Sequence, residues 1–256
     1  MYRPARTLIT GASSGIGAAY ARAFAARGSD LVLVARRTDR LQALADELEA
    51  AHGIRAEVHT ADLSLPAAGR ALREAVAGEV DAVINNAGFG VHSLLVDTDP
   101  QLLEREIAVD VTALVDITRA FLPAMTAAGR GAIVNVASTA AFQPIPRMAV
   151  YGAAKSFVLS FTRAVWDEAR GHGVKVLAVA PGATRTEFFD VVGTESAAVG
   201  RYQTVDDVVR TTLRALDRKR TPPSVVSGVV NKIGAGVVRF VPAGALTTMT
   251  GRLVSR

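Results

Sequence analysis

The chain alternates short, nearly continuous apolar runs with longer stretches in which apolar residues recur every three or four positions. Runs of strand length occupy residues 8–10, 31–35, 56–60, 82–85, 132–137 and 176–180. Helical periodicity fills 16–27, 39–51, 101–128 and 150–170. Successive strand residues face opposite sides, so a run that is apolar throughout must be covered on both faces. Repeated strand–helix–strand units with right-handed crossovers predict an α/β, doubly wound parallel sheet with helices on both faces. Ligands of such sheets bind beyond the carboxyl ends of the strands, at the switch point. Gly28 and Gly53 stand where helices end in a left-handed residue.

The pattern loosens after residue 186. Residues 187–203 read as a loop with short helical pieces. Thr204-Val205-Asp206-Asp207 opens a helix through a capping box, with an end near Lys219. Residues 225–228 predict one more strand, and 229–254 mix small and apolar residues around Pro242. No internal repeat or low-complexity linker appears, so 1–256 reads as a single domain with a variable region from about 187.

Half the residues are hydrophobic, enough for a sizeable core. The net charge is +5, carried by scattered arginines, with only four lysines. Nucleic-acid binding requires a basic stripe interleaved with aromatics; aromatics are 5% and no stripe forms, so none is expected. The absence of cysteine excludes disulfides, thiolate metal sites and a cysteine nucleophile. His52, His59, His92 and His172 lack ligand spacing, so no metal is expected. Neither a signal peptide nor a membrane-spanning run is read, and the expected location is cytoplasmic. Lys232, Arg239 and Arg252 interrupt the apolar residues of 229–254, and helices packed on the domain are preferred there over a membrane contact.

The first strand leads into Thr10-Gly11-Ala12-Ser13-Ser14-Gly15-Ile16-Gly17. Gly11, Gly15 and Gly17 permit a tight turn and a close approach of a pyrophosphate to the backbone. The helix opening there presents free N–H groups and its positive dipole end. A strand before and a helix after make this a dinucleotide site. An acid that would meet a ribose 2′-hydroxyl is missing after the second strand; Arg36 and Arg37 stand there instead. A guanidinium can clamp a 2′-phosphate, so NADP(H) is the expected cofactor, with Ser13 as a further donor.

Tyr151 and Lys155 lie one helical turn apart, with Ser138 upstream. A phenol has a reference pKa of about 10, and working near neutrality requires about 4 kcal/mol of differential stabilisation. The Lys155 ammonium lowers the phenol's pKa, and a second cation is required for the remainder.

Together these residues resemble the short-chain dehydrogenase/reductase family. The resemblance extends to Asp62-Leu63, to Asn85-Asn86-Ala87-Gly88 and to Pro181-Gly182 with Thr184 and Thr186. It implies a Rossmann-type sheet of about seven strands. It implies that Ser138 orients a carbonyl, Tyr151 is the general acid/base, and Lys155 tunes the tyrosine and holds the nicotinamide ribose. The oxidised nicotinamide is then the second cation. Gly11, Ser13, Ser14, Gly15, Ile16, Gly17, Arg36, Arg37, Asp62, Leu63, Asn86, Ala87, Gly88, Pro181, Gly182, Thr184 and Thr186 would bind the cofactor with Tyr151 and Lys155. Asp110 departs from the family, which usually has asparagine there in a water relay from the lysine. Phe89, Val91, Phe142, Pro144, Phe188 and Phe189 are candidate pocket residues and imply a small apolar carbonyl or alcohol substrate. A 3-oxoacyl-thioester reductase and a non-catalytic cofactor-binding regulator are the alternatives. The resemblance also implies a homodimer or homotetramer through the two long helices. Trp166 reads as a packing or interface residue, and His92 as a loop residue.

Overall fold

A computed structural model describes residues 1–193 and 202–254. Among the described residues, seven strands form one parallel sheet in the order β3-β2-β1-β4-β5-β6-β7. They are β1 (Arg6–Thr10), β2 (Asp30–Ala35), β3 (Ala56–Thr60), β4 (Ala82–Asn85), β5 (Gly131–Val136), β6 (Val174–Ala180) and β7 (Ser224–Val226). The order reverses between β1 and β4, which places the switch-point crevice between their carboxyl ends.

The strand pleat divides the core into two layers. Ile9, Leu31, Leu33, Ile84, Val134 and Leu177 point to one face. They meet α1 (Gly15–Ala25), α2 (Thr38–His52) and α8 (Val205–Leu216). Their neighbours Leu8, Val32, Val34, Val83, Ile133 and Val176 point the other way. These meet α3 (Ala68–Ala75), α5 (Leu114–Ala128) and α6 (Ala149–Arg170). Period-two side chains covered on both faces account for the nearly continuous apolar runs of the central strands. Phe24 on α1 is fully buried in the first layer. Phe24→Ala is expected to destabilise the fold by about 3–5 kcal/mol, measured as the urea-unfolding midpoint.

The long helix predicted over 101–128 is three segments: α4 (Pro100–Ile107), a π-helical stretch (Ala108–Ala113) and α5. Asp99 caps α4 by accepting from the Gln101 N–H, with Pro100 in the first helical position. Asn85 Nδ2 donates to Thr118 Oγ1 and to Asn135 Oδ1, and Asn135 Nδ2 donates to Thr162 Oγ1. This buried polar chain ties α5 and α6 to the ends of β4 and β5, directly beneath the crevice.

The helix expected up to Lys219 ends at Leu216, and its Thr204–Asp207 capping box forms as read. Beyond β7 lie α9 (Val229–Val237) and α10 (Ala243–Val254), and α7 (Phe188–Val192) follows β6. The 187–203 loop reading falls partly outside the described residues. His92 Nε2 lies 2.9 Å from the Val254 carbonyl, and Thr250 Oγ1 donates to the Pro144 carbonyl. Both contacts fasten α10 to the segments that follow β4 and β5. Trp166 packs on the second core layer and donates its indole N–H to the Thr221 carbonyl. Among the described residues no helix is long and apolar enough to cross a membrane.

Candidate active site

At the end of β1 the chain turns through Gly11 and Gly15, with φ of +65° and +54°, values that side-chain-bearing residues rarely adopt. Gly17 has no room for a side chain against the Gly11 carbonyl and Asn86 Nδ2. Ser14 is the N-cap of α1 but its side chain caps nothing, so the positive end of the helix stays open. Thr10 Oγ1 accepts the Asn86 and Ala87 N–H groups, and Asn86 Nδ2 donates to the Thr10 carbonyl. The side chain of Asn86 therefore braces the glycine turn, while Ala87 and Gly88 face a cavity of about 530 Å³. The glycine cradle and the open helix end suit the pyrophosphate of a dinucleotide.

The same cavity is lined by Ser13, Ile16, Arg36, Arg37, Asp62 and Leu63. Pro181, Gly182, Thr184 and Thr186 close its far side. Arg37 donates to Ser13 Oγ and Ser14 Oγ and pairs with Glu187 at 2.8 Å; Arg40 shares that carboxylate at 2.6 Å. Arg36 is exposed at the rim. Hydrogen bonds from the Ser64 N–H and Oγ–H hold the Asp62 carboxyl below the usual range. Glu187, bridging two arginines from the start of α7, was missed by the sequence reading; no local pattern marks it.

Ser138, Tyr151 and Lys155 meet at the other end of the cavity. Ser138 follows β5 and accepts the Ala140 N–H at 3.1 Å, while its side chain also hydrogen-bonds Tyr151. Lys155 Nζ lies 5.5 Å from the centre of the Tyr151 ring, one turn along α6. It also lies 2.8 Å from Asp110 Oδ2, close enough for a charge pair though off hydrogen-bond angles. Both members are buried, and Asp110 Oδ1 accepts the Phe89 N–H at 3.0 Å. The π-helical stretch carries Asp110 inward; π insertions recur at functional sites. The Asp110 side chain is thus a direct partner of Lys155.

The electrostatics differ from the sequence expectation. Burial pushes the Tyr151 phenol above its ordinary value; Lys155 and Ser138 pull it down, while the Asp110 and Glu106 carboxylates push it further up. Two acids oppose the one ammonium that was expected to lower it. Burial alone would lower Lys155, but Asp110, Tyr151 and Glu106 outweigh it and hold the ammonium above its usual range. Burial raises Asp110 in spite of Lys155 and the Phe89 N–H.

Phe89, Phe188 and Phe189 line the cavity as predicted, joined by Leu102, Ile145 and Met148, which the sequence reading overlooked. Phe188 packs on Tyr151 with ring centres 5.4 Å apart. Val91, Phe142 and Pro144 are not part of the lining. Val91 turns its N–H to Glu106, Phe142 packs into the core beside Leu114 and Val158, and the Pro144 carbonyl receives Thr250.

A glycine-cradled crevice at the switch point, joined to a Ser–Tyr–Lys cluster, defines an oxidoreductase built around a nicotinamide dinucleotide. The chain belongs to the short-chain dehydrogenase/reductase family, whose short chain dehydrogenase pattern it matches over residues 5–197. Among its relatives is the sulfoacetaldehyde reductase of Chromohalobacter salexigens, 42% identical over 185 residues, 70% of this chain and 72% of that one. A short-chain dehydrogenase from Sphingobium yanoikuyae, solved in complex with NADPH, superposes with a TM-score of 0.82 at 36% identity, covering 93% and 96% of the two chains. The bulky-bulky ketone specific alcohol dehydrogenase from Comamonas testosteroni gives a TM-score of 0.78 at 30% identity, covering 94% and 96%.

Proposed function

We propose that the chain is an NADP(H)-dependent oxidoreductase that interconverts an apolar carbonyl compound and its secondary or primary alcohol. The observation that carries this reading is one continuous cavity, with the glycine cradle at one end and Ser138, Tyr151 and Lys155 at the other. The cofactor, when bound, supplies the hydride. Gly11, Gly15, Ile16 and Gly17 hold its phosphates with Ser13 and Ser14, Asp62 and Leu63 its adenine, and Pro181, Gly182, Thr184 and Thr186 its carboxamide. Ala87 and Gly88 let it approach the backbone, and Lys155 reaches its ribose hydroxyls.

Ser138 Oγ orients the substrate oxygen. Tyr151 Oη gives its proton to that oxygen during reduction and takes it back during oxidation. Lys155 Nζ stabilises the phenolate left behind. The phenol holds its proton at neutral pH, which suits reduction. The aromatic wall of Phe89, Phe188 and Phe189 excludes water and favours an apolar body beside the carbonyl. The ketone specificity named for the Comamonas relative supports a bulky carbonyl substrate, and the NADPH complex of the Sphingobium relative supports the phosphorylated cofactor.

Arg36 is assigned to the 2′-phosphate because it is exposed, whereas Arg37 is engaged by Ser13, Ser14 and Glu187. A panel of apolar ketones followed by NADPH absorbance, with NADH alongside, tests the proposal. Arg36→Ala should raise KM for NADPH about 10–100-fold, the loss of one charge-assisted hydrogen bond, and leave KM for NADH unchanged. Equal use of NADH and NADPH by the unaltered protein would remove the role given to Arg36.

A further inference from the structure

Glu106 has no part in the mechanism above, yet it is buried beside it. It lies on α4 four residues before Asp110 and is only 1% exposed. The Val91 N–H donates to its carboxyl group, while its Oε1 has no partner among the described residues. A buried carboxylate is costly unless paired with a cation. The cation that acts on it, Lys155, already stands 2.8 Å from Asp110. Other charged groups do not relieve this. Glu104 and Arg105 on the same helix are exposed, and His92, in the loop after Val91, turns its ring to the Val254 carbonyl. Facing Glu106 from α6 are Lys155 and Tyr151, and from the π stretch Asp110. This buried cluster therefore holds two carboxyl groups and one ammonium, and burial together with like-charge repulsion favours the protonated form of one carboxyl.

We propose that Glu106 and Asp110 together hold one exchangeable proton, and that this pair resupplies Tyr151 through Lys155 after the phenol has protonated its substrate. The proposal rests on Tyr151 being the acid of the reaction. Each step moves a single proton. Tyr151 Oη–H passes its proton to the substrate oxygen, and Lys155 Nζ–H restores it. The carboxyl O–H then restores the ammonium. The pocket ends one proton poorer and one unit more negative, and water refills it between turnovers. Glu106 is a positioning residue: it touches neither substrate nor cofactor and works by keeping a proton within reach of Lys155. An asparagine in place of Asp110 could not share that proton, so the aspartate and the buried glutamate make sense together.

Burial first, and then the Asp110 charge, raise Glu106 to about 7, against the pull of the Val91 N–H and Lys155. The experiment uses the protein without cofactor, labelled with carboxyl-¹³C glutamate and ring-labelled tyrosine, titrated by NMR. Glu106→Gln and Tyr151→Phe assign the two signals. Glu106 should titrate near pH 7. Asp110→Asn should move that titration down towards ordinary glutamates, since it removes a neighbouring anion. Glu106→Gln should move the Tyr151 titration to lower pH, because one of the anions raising it is gone. In turnover, the reduction rate of the unaltered protein should fall as pH rises through about 7, and Glu106→Gln should lose that inflection. A Glu106 signal that titrates with surface glutamates, or a Tyr151 titration unmoved in Glu106→Gln, overturns the proposal. Both signals are read without substrate, so failure of the proposed function would leave them intact and be seen separately as absence of turnover.

Discussion

Tyr151→Phe is expected to lower kcat by about 10²–10⁴-fold, the contribution of a well-placed general acid, while leaving cofactor affinity within a few-fold. The variant removes one oxygen. The ring keeps its contact with Phe188 and its place 5.4 Å from that ring, and Lys155 keeps Asp110 at 2.8 Å. Nothing in the glycine cradle or around Arg36 changes. The loss should therefore appear in the chemical step. Single-turnover rates measure it, and titration of the cofactor's fluorescence in the absence of substrate measures binding. The raised pKa of Tyr151 sets the sign of the pH response. Reduction needs the phenol, which is populated across neutral pH; oxidation needs the phenolate, so the unaltered protein should oxidise alcohols faster as pH rises into the alkaline range. Tyr151→Phe should show no such rise. Near-normal turnover by this variant would dismiss the mechanism, whatever the substrate.

The sheet was legible because parallel strands buried on both faces leave a plain mark. Leu31–Ala35 has no polar position, and the structure buries every one of those residues. The cofactor cradle was legible for a related reason: glycines at fixed offsets from a strand end have few other uses. What escaped the sequence reading depends on contacts between distant segments. The π-helical stretch has an apolar spacing close enough to α-helical that the helix over 101–128 read as continuous. Val91, Phe142 and Pro144 were read as pocket residues, and the structure directs them elsewhere. The tyrosine's acidity was argued from Lys155 and the nicotinamide cation, and the opposing acids come from α4 and the π stretch. A signal for Glu106 was present, since acids at 106 and 110 are spaced to share a helical face. It gained meaning only when that face proved to be buried against Lys155.

Gly17→Ala is the second large expected effect. A Cβ at position 17 would overlap the Gly11 carbonyl oxygen and lie 2.7 Å from Asn86 Nδ2. The first obstacle is backbone, which cannot swing aside as a side-chain tip can. The second is the amide that braces the turn by donating to the Thr10 carbonyl. Relief of the clash must therefore open the turn or separate it from the end of β4, and either change displaces the N–H groups at the start of α1. Overpacking of this kind costs about 1–3 kcal/mol. If that cost falls on the binding-competent loop, cofactor affinity weakens by roughly 5–150-fold. Gly171→Ala is the matched control, because Gly171 has an ordinary φ of −71° and nothing within 4 Å of the added carbon. Isothermal titration of NADPH into both variants decides the matter. A weakened Gly17→Ala beside an unchanged Gly171→Ala would tie the loss to the cradle. Equal affinities, with the fold intact, would mean that the packing of Gly17 does not set the position of the phosphate-binding donors, and the argument from the clash would have to be withdrawn.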